Sequence, residues 1–306
     1  MLYNNLKQKA LALVLIIGTT SYSFGQFNFP EFKVANKLKT CTLAVKLFNE
    51  ANPEYKPFND AIKKVYTEEW KTCPVEFVTE EQFNSIVKTG KANYAVVYSE
   101  DVNTKYTQEY NRGSTSSYER SFNFSHYDVM LKIVDGPDKL TTVTAITFCN
   151  SDLMPGEFYF AGLQLNLLVS SSLNGITGKN FYDAEKNIEY IKSKKMFLPK
   201  ELFKEKDLAK IADKYEHPHK ISDYKELNDV VLAKDAEYVY PKIIWSNQHR
   251  NYGWITVSAA DGSVRSFMGF TGLATGSNEK ANEVLKPGQL NNALNKMMQK
   301  VNNKYD

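Results

Sequence analysis

Cysteine is scarce in this chain. It has three, Cys41, Cys73 and Cys149, in 306 residues. The number is odd and far below what a disulfide scaffold uses, so a small cross-linked secreted fold is excluded. Histidine is scarce too, with four residues. Only His217 and His219 stand close together, in "EHPH". A surplus of one charge is missing, since 38 Lys and Arg face 35 Asp and Glu. Nothing in that balance argues for a nucleic-acid or acidic-membrane partner. Long apolar runs are also missing. The most apolar stretch, "ALALVLIIG" (Ala10 to Gly18), falls short of the ~20 residues that a membrane span needs. No Gly-x-Ser-x-Gly elbow, His-Glu-x-x-His pair, phosphate loop or spaced-glycine dinucleotide fingerprint occurs. No cofactor is expected.

The short apolar run is informative in its place. Lys7 and Lys9 precede it, and Ser23 and Gly25 supply small residues three and one before a cleavage point. That arrangement predicts a signal peptide over residues 1–25, with Gln26 opening the mature chain. No cysteine follows the run, so no lipid anchor is expected. Without Lys7 and Lys9 the mature chain has 36 basic and 35 acidic side chains, a net charge of +1. The protein is expected to be exported, periplasmic or secreted, with no membrane-spanning segment in the mature chain.

Periodicity after residue 25 predicts an α/β (α+β) fold made of two tandem copies of one unit. The first unit covers 26–175. It reads as a strand at Thr42 to Phe48, a helix at Phe58 to Trp70, a strand at Val75 to Val78 and a helix at Glu80 to Val87. A strand at Asn93 to Tyr98 follows, then a hairpin of Tyr127 to Val134 with Thr141 to Cys149, and a helix opened by Pro155-Gly156. A connecting segment spans 176–191. The second unit, 192–306, repeats the order. Its strands are Lys195 to Pro199, Lys220 to Ser222 and Glu237 to Trp245, with helices at Glu205 to Lys214 and Tyr224 to Leu232. It ends in a hairpin of Tyr252 to Ala259 with Ser263 to Phe270 and a helix from Pro287-Gly288. An offset of 144 residues aligns Cys73–Val97 with the second unit without a gap. Five of the 25 positions are identical: Pro74/Pro218, Asn84/Asn228, Val87/Val231, Ala92/Ala236 and Tyr94/Tyr238. Helix caps are expected at Thr79, with Gln82 completing a capping box, and at Ser222 or Asp223.

Two features break the symmetry. The offset falls from 144 to 126 at the hairpin turns (Asp135 against Asp261), so the first unit carries some 18 extra residues, read as an inserted loop over 100–126. That stretch is rich in Tyr and Ser and poor in aliphatics. Tyr106, Tyr110, Arg112, Tyr118 and Arg120 form a candidate recognition surface; the alternative is a solvated loop whose aromatics cover a sheet edge. The first Pro-Gly helix is apolar nearly all round, which predicts that it lies between the units and fastens them. A homodimer interface would satisfy the same pattern.

The order of elements, together with "ITVSAADGSVRSFMGF" (Ile255 to Phe270), resembles periplasmic modules of the curli-channel (CsgG-like) type. The resemblance implies a small α/β sandwich used in assembly and partner binding. A lipidated cysteine and an evident membrane-spanning insertion are lacking, so channel formation is not implied. The chain also resembles exported proteins of Bacteroidota, which supply no activity to carry over.

The expected function is an exported, non-catalytic binding or assembly module of the cell envelope. An alternative is a periplasmic or secreted small-molecule, peptide or glycan-binding protein using an interdomain cleft near Trp245 and Trp254. Core packing is the competing role for those tryptophans. A hydrolytic enzyme with a site assembled from distant residues is the third reading. No metal site is expected. His217 and His219 come nearest to one, and the proline between them is architectural, matching Pro74 in the first unit. Cys41 and Cys73 flank two strands that would be parallel neighbours, so a Cys41–Cys73 bridge, worth about 3 kcal/mol in loop closure, stands beside two buried thiols.

Overall fold

The computed structural model describes residues 29–111, 117–148, 153–176, 184–246 and 251–269, with backbone alone for 103–111, 117–125, 184–185, 245–246, 251–253 and 267–269. Helix α1 (Phe32–Lys37) leads into β1 (Thr42–Lys46), α2 (Lys56–Glu68), β2 (Val75–Val78), α3 (Glu80–Thr89), β3 (Tyr94–Asn111), β4 (Ser117–Gly136) and β5 (Lys139–Phe148). Helix α4 (Pro155–Leu173) ends this unit. The second runs α5 (Ala184–Lys192), β6 (Lys195–Pro199), α6 (Glu205–Leu208), α7 (Ile211–Lys214), β7 (His219–Ser222), α8 (Tyr224–Leu232), β8 (Tyr238–Ser246), β9 (Asn251–Ser258) and β10 (Val264–Gly269).

The sheets are ordered β2-β1-β3-β4-β5 and β10-β9-β8-β6-β7. Read from opposite ends, these are one topology. Three parallel strands sit at one side and an antiparallel hairpin at the other. The chain is an α/β protein with two similar units, and single hydrogen bonds recur between them, the acceptors and helix caps at the 144-residue offset and the donors of β1 and β6 at an offset of 153. Leu43 N–H donates to Pro74 O as Met196 N–H donates to Pro218 O; Thr42 N–H reaches Asn93 O as Lys195 N–H reaches Glu237 O. Thr79 and Asp223 both cap their helices by accepting from the third helical N–H, of Gln82 and Glu226. At the other end of those helices Gly90 and Lys234 both take left-handed backbone, at φ 62° and 55°. The bonds Lys91 N–H to Ile86 O and Asp235 N–H to Val230 O close the same terminal motif.

The middle strands are buried on both faces, which explains their unbroken apolar runs. In the first sheet Leu43, Val45, Val97 and Leu131 join the main core beneath α2 and α4, while Ala44, Val96 and Val134 pack against Phe83 and Ile86 of α3. In the second sheet Phe197, Tyr238, Tyr240 and Ile244 join that same main core, beside Leu227 and Val231 of α8. The far face, Met196, Leu198 and Val239, is covered by α5 and the α6–α7 segment. The units therefore meet through non-equivalent faces, the α2 face of one and the α8 face of the other.

Helix α4 lies between them, as its all-round apolarity predicts. Tyr159, Phe160, Leu165, Leu168 and Val169 are fully or almost fully buried. A methyl group at Gly162 would stand 2.5 Å from Val65 Cγ1, so glycine sets the approach of α4 to α2. Across the other side Gly156 N–H donates to Asn228 Oδ1 at 2.7 Å, Gln164 donates to Gly262 O, and Glu157 pairs with Lys242.

Two expectations need correction. The segment 100–126 is no simple loop: from Val102↔His126 to Asn111↔Ser117 it is an unbroken antiparallel ladder, and 112–116 lie outside the described residues. Its polar composition hides a strand because backbone pairing does not require aliphatics. The helix expected over 205–214 is instead two single turns, α6 and α7, with the three-residue contact Lys210 N–H to Asp207 O at the break. The Pro287-Gly288 helix lies outside the described residues.

Candidate functional site

Parallel strands in the order β2-β1-β3 send their connections to opposite sides of β1, which leaves a crevice beyond their carboxyl ends. In the first unit that crevice is a cavity of about 540 Å³. Its apolar wall is Leu47, Phe48, Ala51, Phe77 and Val78, and its polar rim is Lys46, Asn49, Glu50, Thr79, Glu80, Glu81 and Ser99.

Each wall is held by identifiable bonds. Asn59 of α2 is buried and clasps the backbone after β1, accepting from Phe48 N–H at 2.9 Å and donating to Phe48 O at 3.1 Å. Phe48 then packs against Tyr55, Phe58 and Phe158, with ring centroids 5.1, 6.0 and 5.3 Å away. Lys46, at the last position of β1, places its ammonium 2.5 Å from the Glu80 carboxylate and 5.2 Å from the centre of the Phe83 ring. Glu50 is paired with Lys63 at 2.7 Å. Opposite stands the amino end of α3, whose capping box is complete: Gln82 N–H donates to Thr79 Oγ1 and Thr79 N–H to Gln82 Oε1. With those amides engaged and Glu80 and Glu81 in the first turn, the helix end offers acceptors rather than an anion seat. The Thr79 hydroxyl, donating to Glu81 at 2.8 Å, holds that carboxyl below the usual carboxylate range, which suits a fixed charge and not a proton-transfer group. Ser99 of β3 completes the rim and accepts from the Tyr127 hydroxyl at 2.9 Å, leaving its own O–H to donate. This arrangement can hold a ligand between an aromatic wall and a band of acceptors.

The β3–β4 ladder continues from the same end of the sheet. Among the described residues pairing of β4 with β5 runs as far as Tyr127↔Phe148, and β1 leaves β3 after Val97. Beyond that the ten ladder pairs from Val102↔His126 to Asn111↔Ser117 form a two-stranded arm, about 30 Å long at the usual rise per residue. Strand alternation places Tyr106, Gln108 and Tyr110 on one face with their partners Phe122, Arg120 and Tyr118. Lys105, Thr107 and Glu109 share the opposite face with Asn123, Ser121 and Glu119.

Of the residues singled out from sequence, Tyr106, Tyr110, Tyr118 and Arg120 thus share one face of the arm, and Arg112 lies outside the described residues. Trp245 pairs with Tyr252 in the β8–β9 ladder. Trp254 is overturned as a ligand-facing residue: its exposure is 0 %, deep among Met196, Leu198 and Val239. The pleat of β9 turns it inward, and its core role wins. His217 and His219 flank the Tyr215 ring at 5.5 and 5.7 Å, and His219 Nδ1 lies 3.0 Å from the His217 carbonyl. Among the described residues no three metal-capable side chains converge. His126 is buried at the root of the arm with Nε2 3.5 Å from Asp128 Oδ2. Cys41 and Cys73 carry free thiols, and Cys149 lies outside the described residues. Sequence reasoning misses Lys46, Asn59 and Ser99. A lysine ending an apolar strand is the one available signal; the rest converge only through the fold.

Among the described residues no helix is long and apolar enough to cross a membrane. No protein-family model and no curated protein sequence matches the chain.

Proposed function

We propose that the chain is an exported, non-catalytic binding or assembly module of the cell envelope that engages a protein partner through the β3–β4 arm. The arm carries the proposal. A two-stranded ribbon is marginal on its own in water, and this one runs ten ladder pairs beyond the last described pairing with β5. Tyrosine and arginine are the residue types that dominate protein interfaces, and Tyr106, Tyr110, Tyr118 and Arg120 recur on one face of it. The role agrees with the assembly function that the curli-channel resemblance implies, and the two similar units are then copies of one duplicated module.

The test replaces 104–124 by a two-residue turn and compares both proteins in capture from envelope extract. A partner retained by the intact chain and lost by the shortened one, at unchanged melting temperature, supports the proposal. Equal capture by both overturns it.

A second reading rests on the crevice. The alternative of a small-molecule, peptide or glycan ligand moves there from the interdomain cleft, because Trp254 is buried while Phe48, Ser99 and the Glu80–Glu81 turn line an open volume. Ligand-induced change in Phe48→Ala and Ser99→Ala variants separates this reading from the first.

A further inference from the structure

We propose that Cys41 and Cys73 are partners in a disulfide that closes across the amino ends of β1 and β2 when the chain meets a disulfide donor. Register carries the argument. Leu43 pairs with Val75 and Val45 with Phe77, and the same offset continued toward the amino end sets Cys41 opposite Cys73. In parallel neighbours the two members of such a pair point to one face, and both cysteines belong to the main core on that face. Adjacent strands run about 4.8 Å apart, within the roughly 4.4–6.8 Å between Cα atoms that a disulfide tolerates. The sulfurs also sense each other, since the charge of Cys73 helps to raise Cys41.

Neither thiol is committed elsewhere by a strong bond. Cys41 donates to Lys37 O at 3.4 Å, and Cys73 accepts from the Trp70 indole at 3.4 Å. Cys73, half-buried where Cys41 is buried, is the entry point. Its thiolate attacks the donor, such as glutathione disulfide, and one glutathione thiolate leaves. The Cys41 thiolate then displaces the second glutathione from the mixed disulfide. The protein is oxidised, the donor is reduced to two thiols, and the two cysteine protons pass to solvent and on to those products. Burial pushes both thiols above their ordinary value, so exchange is slow at neutral pH and quickens as pH rises.

The closed ring contains β1, α2 and the connection between them, and ends two residues before β2. That segment bears Asn59, Phe48 and the Asn49–Ala51 wall of the crevice. The bridge therefore stiffens the ligand-facing side of the first unit without touching the arm.

The experiment equilibrates the full chain in graded mixtures of glutathione and glutathione disulfide, then traps free thiols by alkylation and maps the peptides. A Cys41–Cys73 linkage, present in the wild type and in Cys149→Ser, with a melting temperature raised by roughly 5–10 °C, is expected. Trp70 gives an optical signal, because its indole sits on the sulfur that changes state; Trp70→Phe should remove that signal while leaving the linkage. A linkage through Cys149 overturns the proposal. So do three alkylated thiols at the most oxidising ratio, or a persistent glutathione adduct on Cys73.

Discussion

β3 and β8 hold the same place in their sheets, yet β3 has 18 residues and β8 has nine. Among the described residues the hairpin of the second unit runs two pairs past Gly253↔Gly269, to Ser246↔Asn251, where the first unit continues for ten past Tyr127↔Phe148. The carboxyl ends of the parallel strands differ as well. After β6 the chain enters a short 3-10 turn, Lys200–Leu202, and buries Leu202 and Phe203. Lys220 and Ser222 both bond Glu226 there, and Lys200 reaches Asp223 at 3.6 Å. The corresponding stretch after β1 swings out to wall the crevice. One unit shows the shared topology alone, and the other carries an arm and a crevice beyond it. Both additions sit at one end of one sheet and meet at Ser99.

The comparison is best broken at the join. Lys242 is buried beside Phe148 and Phe160, its ammonium 4.6 and 5.0 Å from their ring centres, and Glu157 of α4 is its counter-charge. Glu157→Ala strands that charge and should cost about 3–5 kcal/mol, whereas replacing both partners together, Glu157→Leu with Lys242→Met, should lie within about 1 kcal/mol of wild type. Urea unfolding followed by fluorescence checks this, and both units should be lost in one transition. Separate transitions for the units would show that α4 does not couple them.

A finer contrast lies at the paired left-handed positions. A methyl at Gly90 would stand 2.2 Å from Pro137 N and 2.3 Å from Gly136 C, whereas Lys234 already carries a side chain at the same turn. Gly90→Ala should therefore destabilise by about 2–3 kcal/mol. Lys234→Gly should change stability by less than about 0.5 kcal/mol, its relief of backbone strain offset by loss of the half-exposed Lys234–Glu69 pair. Thermal melts of the two variants decide whether the hairpin turn of 136–137 is what makes the first position obligatory.

The smallest effect tests equivalence itself. Thr79→Ala and Asp223→Ala remove corresponding caps, and each should cost about 1 kcal/mol. Unequal losses in denaturant titrations would mean that the crevice modifies its cap.

Much of the architecture is legible in the amino-acid order alone. Pro74/Pro218 and Tyr94/Tyr238 fix the offset, and Thr79 with Gln82 announces a helix start, because these features act over a few residues. The arm escapes such reading for a physical reason. Period-two alternation of Tyr106, Gln108 and Tyr110 against Lys105, Thr107 and Glu109 is present, but without aliphatic residues it does not stand out as a strand. The crevice is out of reach altogether. Lys46, Glu80 and Ser99 lie on three elements, and only the parallel order β2-β1-β3 brings them to one rim, with Asn59 holding the wall behind it from a fourth. Trp254 shows the opposite error, since an aromatic near a loop signals recognition only when its strand face is outward.

Helix α4 also bears on how the chain is made. Its sequence is complete when the first sheet is, but part of its covering comes from α8 and the second sheet, which are synthesised later. At about 5–20 residues per second, Phe160, Leu165 and their neighbours wait on the order of ten seconds beside a finished sheet with one side bare. A nascent chain thus carries a temporary adhesive stripe, of the kind that a holdase shields until the second sheet arrives.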